Sequence, residues 1–135
     1  MKNILIVEDE ERVQEDMSRG IKVVFPEDPP HFQFCDNLKE AKYLVDTCSF
    51  DLISIDGRFR EAEPGTCYNM RAGLALIQHL YGLKFSGHVV FFSGNDTQVA
   101  EMRRFNFHGR PIHSFDKSID FREKHWAEEI AKLLL

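Results

Sequence analysis

Ile4-Leu5-Ile6-Val7-Glu8-Asp9-Glu10-Glu11 is the stretch whose reading decides the fold. Four apolar residues, three of them β-branched, stop abruptly at four acids. So short and so continuous a run reads as a strand buried on both faces, as in a parallel sheet. Working outward, Val13, Met17, Ile21 and Val24 recur every three or four positions, which gives one apolar stripe on a helix. Phe25-Pro26 and Pro29-Pro30 end that helix, and His31 to Cys35 reads as a less apolar strand at a sheet edge.

The same change of period repeats down the chain. Asn37 can cap a helix with Glu40 three residues on, and Leu38, Ala41, Leu44, Val45 and Cys48 form its buried face. Phe50 to Ile55 is a third strand ending at Asp56-Gly57. From Gly57 to Asn69 there is no periodicity, so a loop of about a dozen residues is expected. Met70, Leu74, Ile77 and Leu80 restore helical spacing, and Val89 to Phe92 is the fourth strand, leading into Ser93. A short helix from Asp96 to Phe105, a strand from Pro111 to Phe115, and a helix capped by Asp120 complete the pattern. Trp126, Ile130 and Leu134 mark the inner face of that last helix.

Strand and helix thus alternate five times. Parallel neighbours need crossover connections, and right-handed crossovers narrow the arrangement to a doubly wound sheet. The expected fold is α/β and flavodoxin-like: five parallel strands in the order 2-1-3-4-5, helices on both faces, one domain over residues 1–135.

Composition agrees and excludes some functions. The chain has 135 residues, enough for one ordinary core, with 43% hydrophobic and 29% charged residues. A net charge of -5 argues against a direct nucleic-acid surface. No apolar run reaches the roughly 18 residues that membrane insertion requires. Cys35, Cys48 and Cys67 are odd in number and lack a CxxC pair, which fits a reduced, cytoplasmic setting rather than disulfides or structural zinc. The six histidines lack metal-ligand spacing and read as surface or helix-face residues.

In doubly wound folds ligands bind beyond the carboxyl ends of the strands. Those ends carry Glu8 and Asp9, Asp56, Ser93 and Lys117. The first and third strands are neighbours, so three carboxylates crowd one pocket and repel each other unless a cation sits among them. All-oxygen ligands suit a hard divalent ion such as Mg2+. With Lys117 and the Ser93 hydroxyl, such a site would stabilise a transferring phosphoryl group while Asp56 attacks as nucleophile.

The segments Ile4 to Glu10, Asp51 to Asp56, Val89 to Gly94 and Phe115-Asp116-Lys117 closely resemble the signatures of receiver domains of two-component response regulators. The resemblance covers essentially the whole chain. It implies that Asp56 is the phosphoacceptor, and that Asp9, Asp56 and the Arg58 carbonyl bind Mg2+ directly with Glu8 acting through water. It also implies that the Ser93 hydroxyl swings toward the phosphoryl group and Lys117 pairs with it. A sensor histidine kinase or phosphotransfer protein would be the donor. With the fifth helix running to the last residue, the output would be contact with a downstream protein partner, as in single-domain chemotaxis-type regulators. The face made by the fourth helix, fifth strand and fifth helix is the contact surface this family implies, for a partner or a homodimer.

Four positions depart from the family pattern. The third helix opens on Ala72-Gly73 about nine residues late, so the extended loop either covers the pocket, offers a partner surface or is a tolerated insertion. Ser118 follows Lys117 where the family has proline, and a cis bond there would cost about 2.5 to 4 kcal/mol. Ser114 stands where an aromatic switch residue is usual. Arg58 and Asn95, two residues beyond Asp56 and Ser93, occupy positions that modulate dephosphorylation in the family.

Two other functions stay open at this level. One is a degenerate receiver serving as a constitutive protein-docking module. The other is a small aspartyl phosphatase or phosphotransferase, against which Arg58 stands in place of the usual second acid. A flavodoxin is disfavoured by acids where flavin phosphate needs a glycine- and hydroxyl-rich loop. Cys67 is expected to be an inert surface thiol, and Trp126 to lie too far from the pocket for its fluorescence to report on it.

Overall fold

The computed structural model describes residues 2–57, 59–62, 68–93, 96–102, 104, 106–107, 110–116 and 123–134, with backbone alone at some strand and helix positions, Ser93 among them. Strand β1 (Asn3–Val7) leads to α1 (Glu11–Val24), β2 (His31–Cys35), α2 (Leu38–Thr47) and β3 (Leu52–Asp56). Two short strands follow, β4 (Phe59–Arg60) and β5 (Tyr68–Asn69), before α3 (Ala72–Gly82), β6 (His88–Ser93) and α4 (Asp96–Met102). A second short pair, β7 (Asn106–Phe107) and β8 (Arg110–Pro111), precedes β9 (His113–Asp116) and α5 (Glu123–Leu134).

The main sheet is parallel throughout, in the order β2-β1-β3-β6-β9. Counting only its own five strands, this is the expected 2-1-3-4-5, with β2 at one edge. The two extra pairs are separate antiparallel ribbons.

Alternation along the strands divides the core in two. Ile4, Ile6, Leu52, Val90 and Phe92 face α1 and α5, where Met17, Ile21, Trp126, Ala127 and Ile130 cover them. Leu5, Val7, Ile53, Ile55, Val89 and Phe91 face α2 and α3, against Leu38, Leu44, Leu74, Ile77 and Leu80. Ile4 to Val7 are wholly buried, as the continuous apolar run implies. Each such side chain contributes about 1.5–3 kcal/mol relative to exposure. The Asn37 cap is also as expected, its side-chain oxygen accepting from the Glu40 N–H at 2.8 Å.

Several boundaries differ from expectation for identifiable reasons. The Gly57 to Asn69 segment is not wholly irregular, because Phe59 pairs with Asn69 and Arg60 with Tyr68. Helix α3 starts at Ala72 and not Met70: the Asn69 side-chain oxygen takes the Arg71 N–H at 2.8 Å, a turn that competes with helix. Met70 is accordingly 53% exposed. Helix α4 stops at Met102 instead of Phe105, and the Asn106–Pro111 stretch, rich in helix-breaking residues, forms a ribbon. With Pro111 in that ribbon, the last sheet strand starts at His113. Cys48 lies beyond the last turn of α2 and is exposed, while Val45 is half-buried. The Asp120 cap lies outside the described residues. No helix among the described residues is long and apolar enough to cross a membrane.

Candidate functional site

Register builds the site. Ile4 pairs with Leu52 and Val7 with Ile55. One further rung places Glu8 beside Asp56, so the acids after β1 and the acid ending β3 meet by backbone geometry alone. A carboxylate oxygen from each of Glu8, Asp9 and Asp56 lies within 4.8 Å of the others. Glu8 is fully buried and Asp56 only 4% exposed.

The turn after β1 is held firmly. The Glu8 N–H donates to the Cys35 carbonyl at 2.9 Å, continuing the β1–β2 ladder one residue past the strand. The Glu8 carbonyl accepts from Gln14 Nε2 at 2.6 Å, and Glu8 Oε1 accepts from the Glu10 N–H at 3.1 Å. Asp9 Oδ2 is buried, yet no hydrogen bond reaches it among the described residues. A buried carboxylate oxygen with no donor, beside two more carboxylates, is costly unless a cation supplies the missing partner. The donor set is all oxygen, which fits a hard divalent ion of the magnesium kind.

The other wall is the exit from β3. The Gly57 N–H donates to the Phe92 carbonyl at 3.0 Å, and the Gly57 carbonyl accepts from the Gly73 N–H at 3.2 Å. Helix α3 therefore butts its first turn against the Asp56–Gly57 segment. A Cβ on Gly73 would meet the Asp56 carbonyl oxygen at 2.4 Å and the Phe91 ring at 2.9 Å, so only glycine fits. Ala72-Gly73 thus does open the helix against the pocket, as the late Ala-Gly pair suggested.

Of the expected site residues, Glu8, Asp9 and Asp56 come together. The backbone of Ser93 ends β6 one position beyond Phe92, which pairs with Asp56. Ser114 sits half-buried in β9, opposite Phe91. Lys117, Arg58 and Asn95, like Ser118 and Cys67, lie outside the described residues. Among the histidines, His79 bridges α3 to α2 through Asp46 at 2.7 Å, a helix-face role.

Trp126 is tied to the third strand of the main sheet. Its indole N–H donates to the Ser54 hydroxyl at 3.0 Å, both side chains being wholly buried. Ser54 lies two residues before Asp56 on the same face of β3, about 7 Å along the strand. Trp126 and Gln14 carried no sequence signal for these roles, since one reads as core and the other as a helix surface residue.

No known protein-family profile matches the sequence, and no curated protein matches it. Solved structures do. The signal receiver domain of an HD domain-containing protein from Pseudomonas fluorescens superposes with a TM-score of 0.71 at 13% identity, over 98% of this chain and 94% of that one. The receiver domain of a Francisella response regulator gives 0.65 at 20% identity, over 98% and 96%. A response regulator protein from Thermotoga maritima, solved in complex with Mg2+-BeF, gives 0.62 at 20% identity, over 98% and 99%. The fold is that of the CheY-like receiver domains of response regulators. This chain is similar to those domains over nearly its whole length, and the likeness is one of fold.

Proposed function

We propose that the chain is a phosphorylation-controlled signalling receiver of a two-component or phosphorelay system, taking a phosphoryl group on Asp56 with the help of Mg2+. The observation that carries this reading is the trio Glu8, Asp9 and Asp56 at the carboxyl edge of the sheet, two of them buried and Asp9 half-buried, with Asp9 Oδ2 lacking any donor among the described residues. A similar fold, that of the Thermotoga maritima regulator, was solved with Mg2+-BeF.

In this reading Asp9, Asp56 and the Arg58 carbonyl hold the ion, and Glu8 acts through water. The ion, when bound, neutralises carboxylate and phosphoryl charge. A phosphohistidine of a sensor kinase or phosphotransfer protein is the donor. The Asp56 carboxylate attacks phosphorus in line, and the phosphorus–nitrogen bond to the donor imidazole breaks as the new phosphorus–oxygen bond forms. Lys117 balances charge on the phosphoryl oxygens, and the Ser93 hydroxyl donates to one of them. Arg58, Asn95 and Ser114 modulate the lifetime and reading of that state. The chain is a regulatory phosphoacceptor in the cytoplasm that assists its own modification, and its output is contact with a protein partner.

Intact-protein mass spectrometry after incubation with acetyl phosphate tests the reading. The expected result is a gain of one phosphoryl mass that requires Mg2+ and is absent in Asp56→Asn. No gain with acetyl phosphate or a phosphoramidate donor would sink it in favour of a constitutive docking module.

A further inference from the structure

The segment between Asp56 and α3 is tied to more of the molecule than a surface insertion needs to be. On its outgoing side, Phe59 is wholly buried in the α2–α3 core, Arg60 forms a parallel bridge with Asn37, and the Glu61 carbonyl accepts from the Lys39 N–H in the first turn of α2 at 2.9 Å. On its returning side, the Asn69 amide donates to the Glu61 carboxylate, closing the ribbon on itself.

The return then reaches α4. The Met70 carbonyl accepts from Nε2 of Gln98, a buried polar residue only 6% exposed. One residue later, the Arg71 guanidinium makes a two-pronged ion pair with the Glu101 carboxylate, one prong at 3.2 Å. Two residues after that, Gly73 is packed on the Asp56 carbonyl and bonded to Gly57. Hydrogen bonds joined by the short covalent stretch Met70–Gly73 therefore lead from the segment after Asp56, through the α3 start, to two successive turns of a seven-residue helix. So short a helix has little stability of its own and depends on what holds it.

We infer that Met70 and Arg71, gripping Gln98 and Glu101, form a latch through which the inserted ribbon couples the position of α4 to the state of Asp56. The inference rests on the acceptor reading above and assigns the insertion a role in it: α4 is held from the α3 side, by this chain's own extra segment. A shift of the Asp56–Gly57 peptide on phosphorylation moves Gly73, because no space remains between them. Gly73 moves the two residues that hold α4.

Amide hydrogen exchange of residues 96–102 tests the latch, in the wild type and in Arg71→Ala, Gln98→Met and the charge-exchanged pair Arg71→Glu with Glu101→Arg. Arg71 is exposed, so its variant keeps the fold even if Gln98→Met does not. In the unmodified protein, Arg71→Ala should speed α4 exchange by about tenfold while amides of β1 and β3 stay protected. On phosphorylation, wild-type α4 exchange should change by about threefold or more, and this response should be lost in Arg71→Ala and regained in the exchanged pair. Unchanged α4 exchange in Arg71→Ala, or a response equal to wild type, would overturn the latch. Mass is read on the same samples. A wild type that never gains the phosphoryl group overturns the acceptor reading itself, and the coupling with it, whatever exchange shows.

Discussion

The two carboxylate-bearing ends of the central strands are built in opposite ways. After β1 the chain turns within a few residues, and Glu8 is fixed by its own neighbourhood: the next strand's Cys35, the adjacent Glu10, and Gln14 one turn into α1. After β3 the chain takes the residues from Gly57 to Arg71 to reach its helix, and contacts from α2, α3 and α4 are needed to hold that path. The short end presents charge in a rigid frame. The long end carries Asp56 and connects it to the rest of the fold. One side of the pocket is thus held locally and the other through contacts with three helices.

The sharpest way to break this comparison is Gly73→Ala. An added Cβ meets backbone at 2.4 Å, which no rotamer relieves, so a loss of about 2–3 kcal/mol in urea unfolding is expected. Gly82, at the other end of the same helix, has open space where its Cβ would go, and Gly82→Ala should gain about 0.5 kcal/mol. Equal effects at both positions would show that α3 is not wedged against the Asp56 carbonyl.

On the rigid side, Gln14→Leu removes the donor to the Glu8 carbonyl. It should cost about 1 kcal/mol and weaken Mg2+ binding by up to about tenfold, as measured by titration calorimetry. Asp9→Asn relieves carboxylate repulsion, so without metal it should raise the melting temperature by about 4 °C, the equivalent of about 1 kcal/mol. The same variant should abolish the stabilisation that Mg2+ gives the wild type. A lower melting temperature in chelator would mean the three carboxylates do not repel as their spacing implies.

Two smaller effects concern titration. Burial pushes the Cys35 thiol up to about 12, with a backbone hydrogen bond at Asn37 pulling the other way. At neutral pH it is a neutral thiol, and alkylation with peptide mapping should label exposed Cys48 and spare Cys35 until unfolding. Because the folded value lies above the unfolded one, this burial stabilises fully below the ordinary thiol range and is lost as pH rises toward 12. On the long side, the hydrogen bond from Arg71 holds the Glu101 carboxyl below the ordinary carboxylate range. Its contribution is present above that range and disappears as pH falls through the lowered folded value. The difference in urea midpoint between wild type and Arg71→Ala should therefore shrink in acid and also in high salt.

Much of this was legible in the sequence. Five apolar runs, each stopping at a polar residue, define the sheet order and place Glu8, Asp9 and Asp56 on one edge, because register follows from burial on both faces. The ribbons were not legible. Phe59-Arg60 and Tyr68-Asn69 are too short for any period, and their pairing depends on Asn37 and Glu61, which are close in space and distant in sequence. The apolar spacing alone runs back to Met70, whereas α3 starts at the Ala72-Gly73 pair because the Asn69 side chain diverts the backbone. Gln14, Gln98 and Ser54 escaped notice for a common reason: each acts through a single hydrogen bond to a remote or main-chain partner, and composition records no trace of it.

The bond from Trp126 to Ser54 joins residues 72 positions apart. As a ribosome releases the chain, β1 and β3 can form while the sheet face that α5 covers stays bare, with Ile4, Ile6, Leu52 and Phe92 in water or in the grip of a chaperone. The indole then reports one event, the closing of that face, and records nothing of the steps before it. In a refolding experiment its emission should lag the far-ultraviolet dichroism signal, which makes the chain's single tryptophan a clock for its last act of assembly.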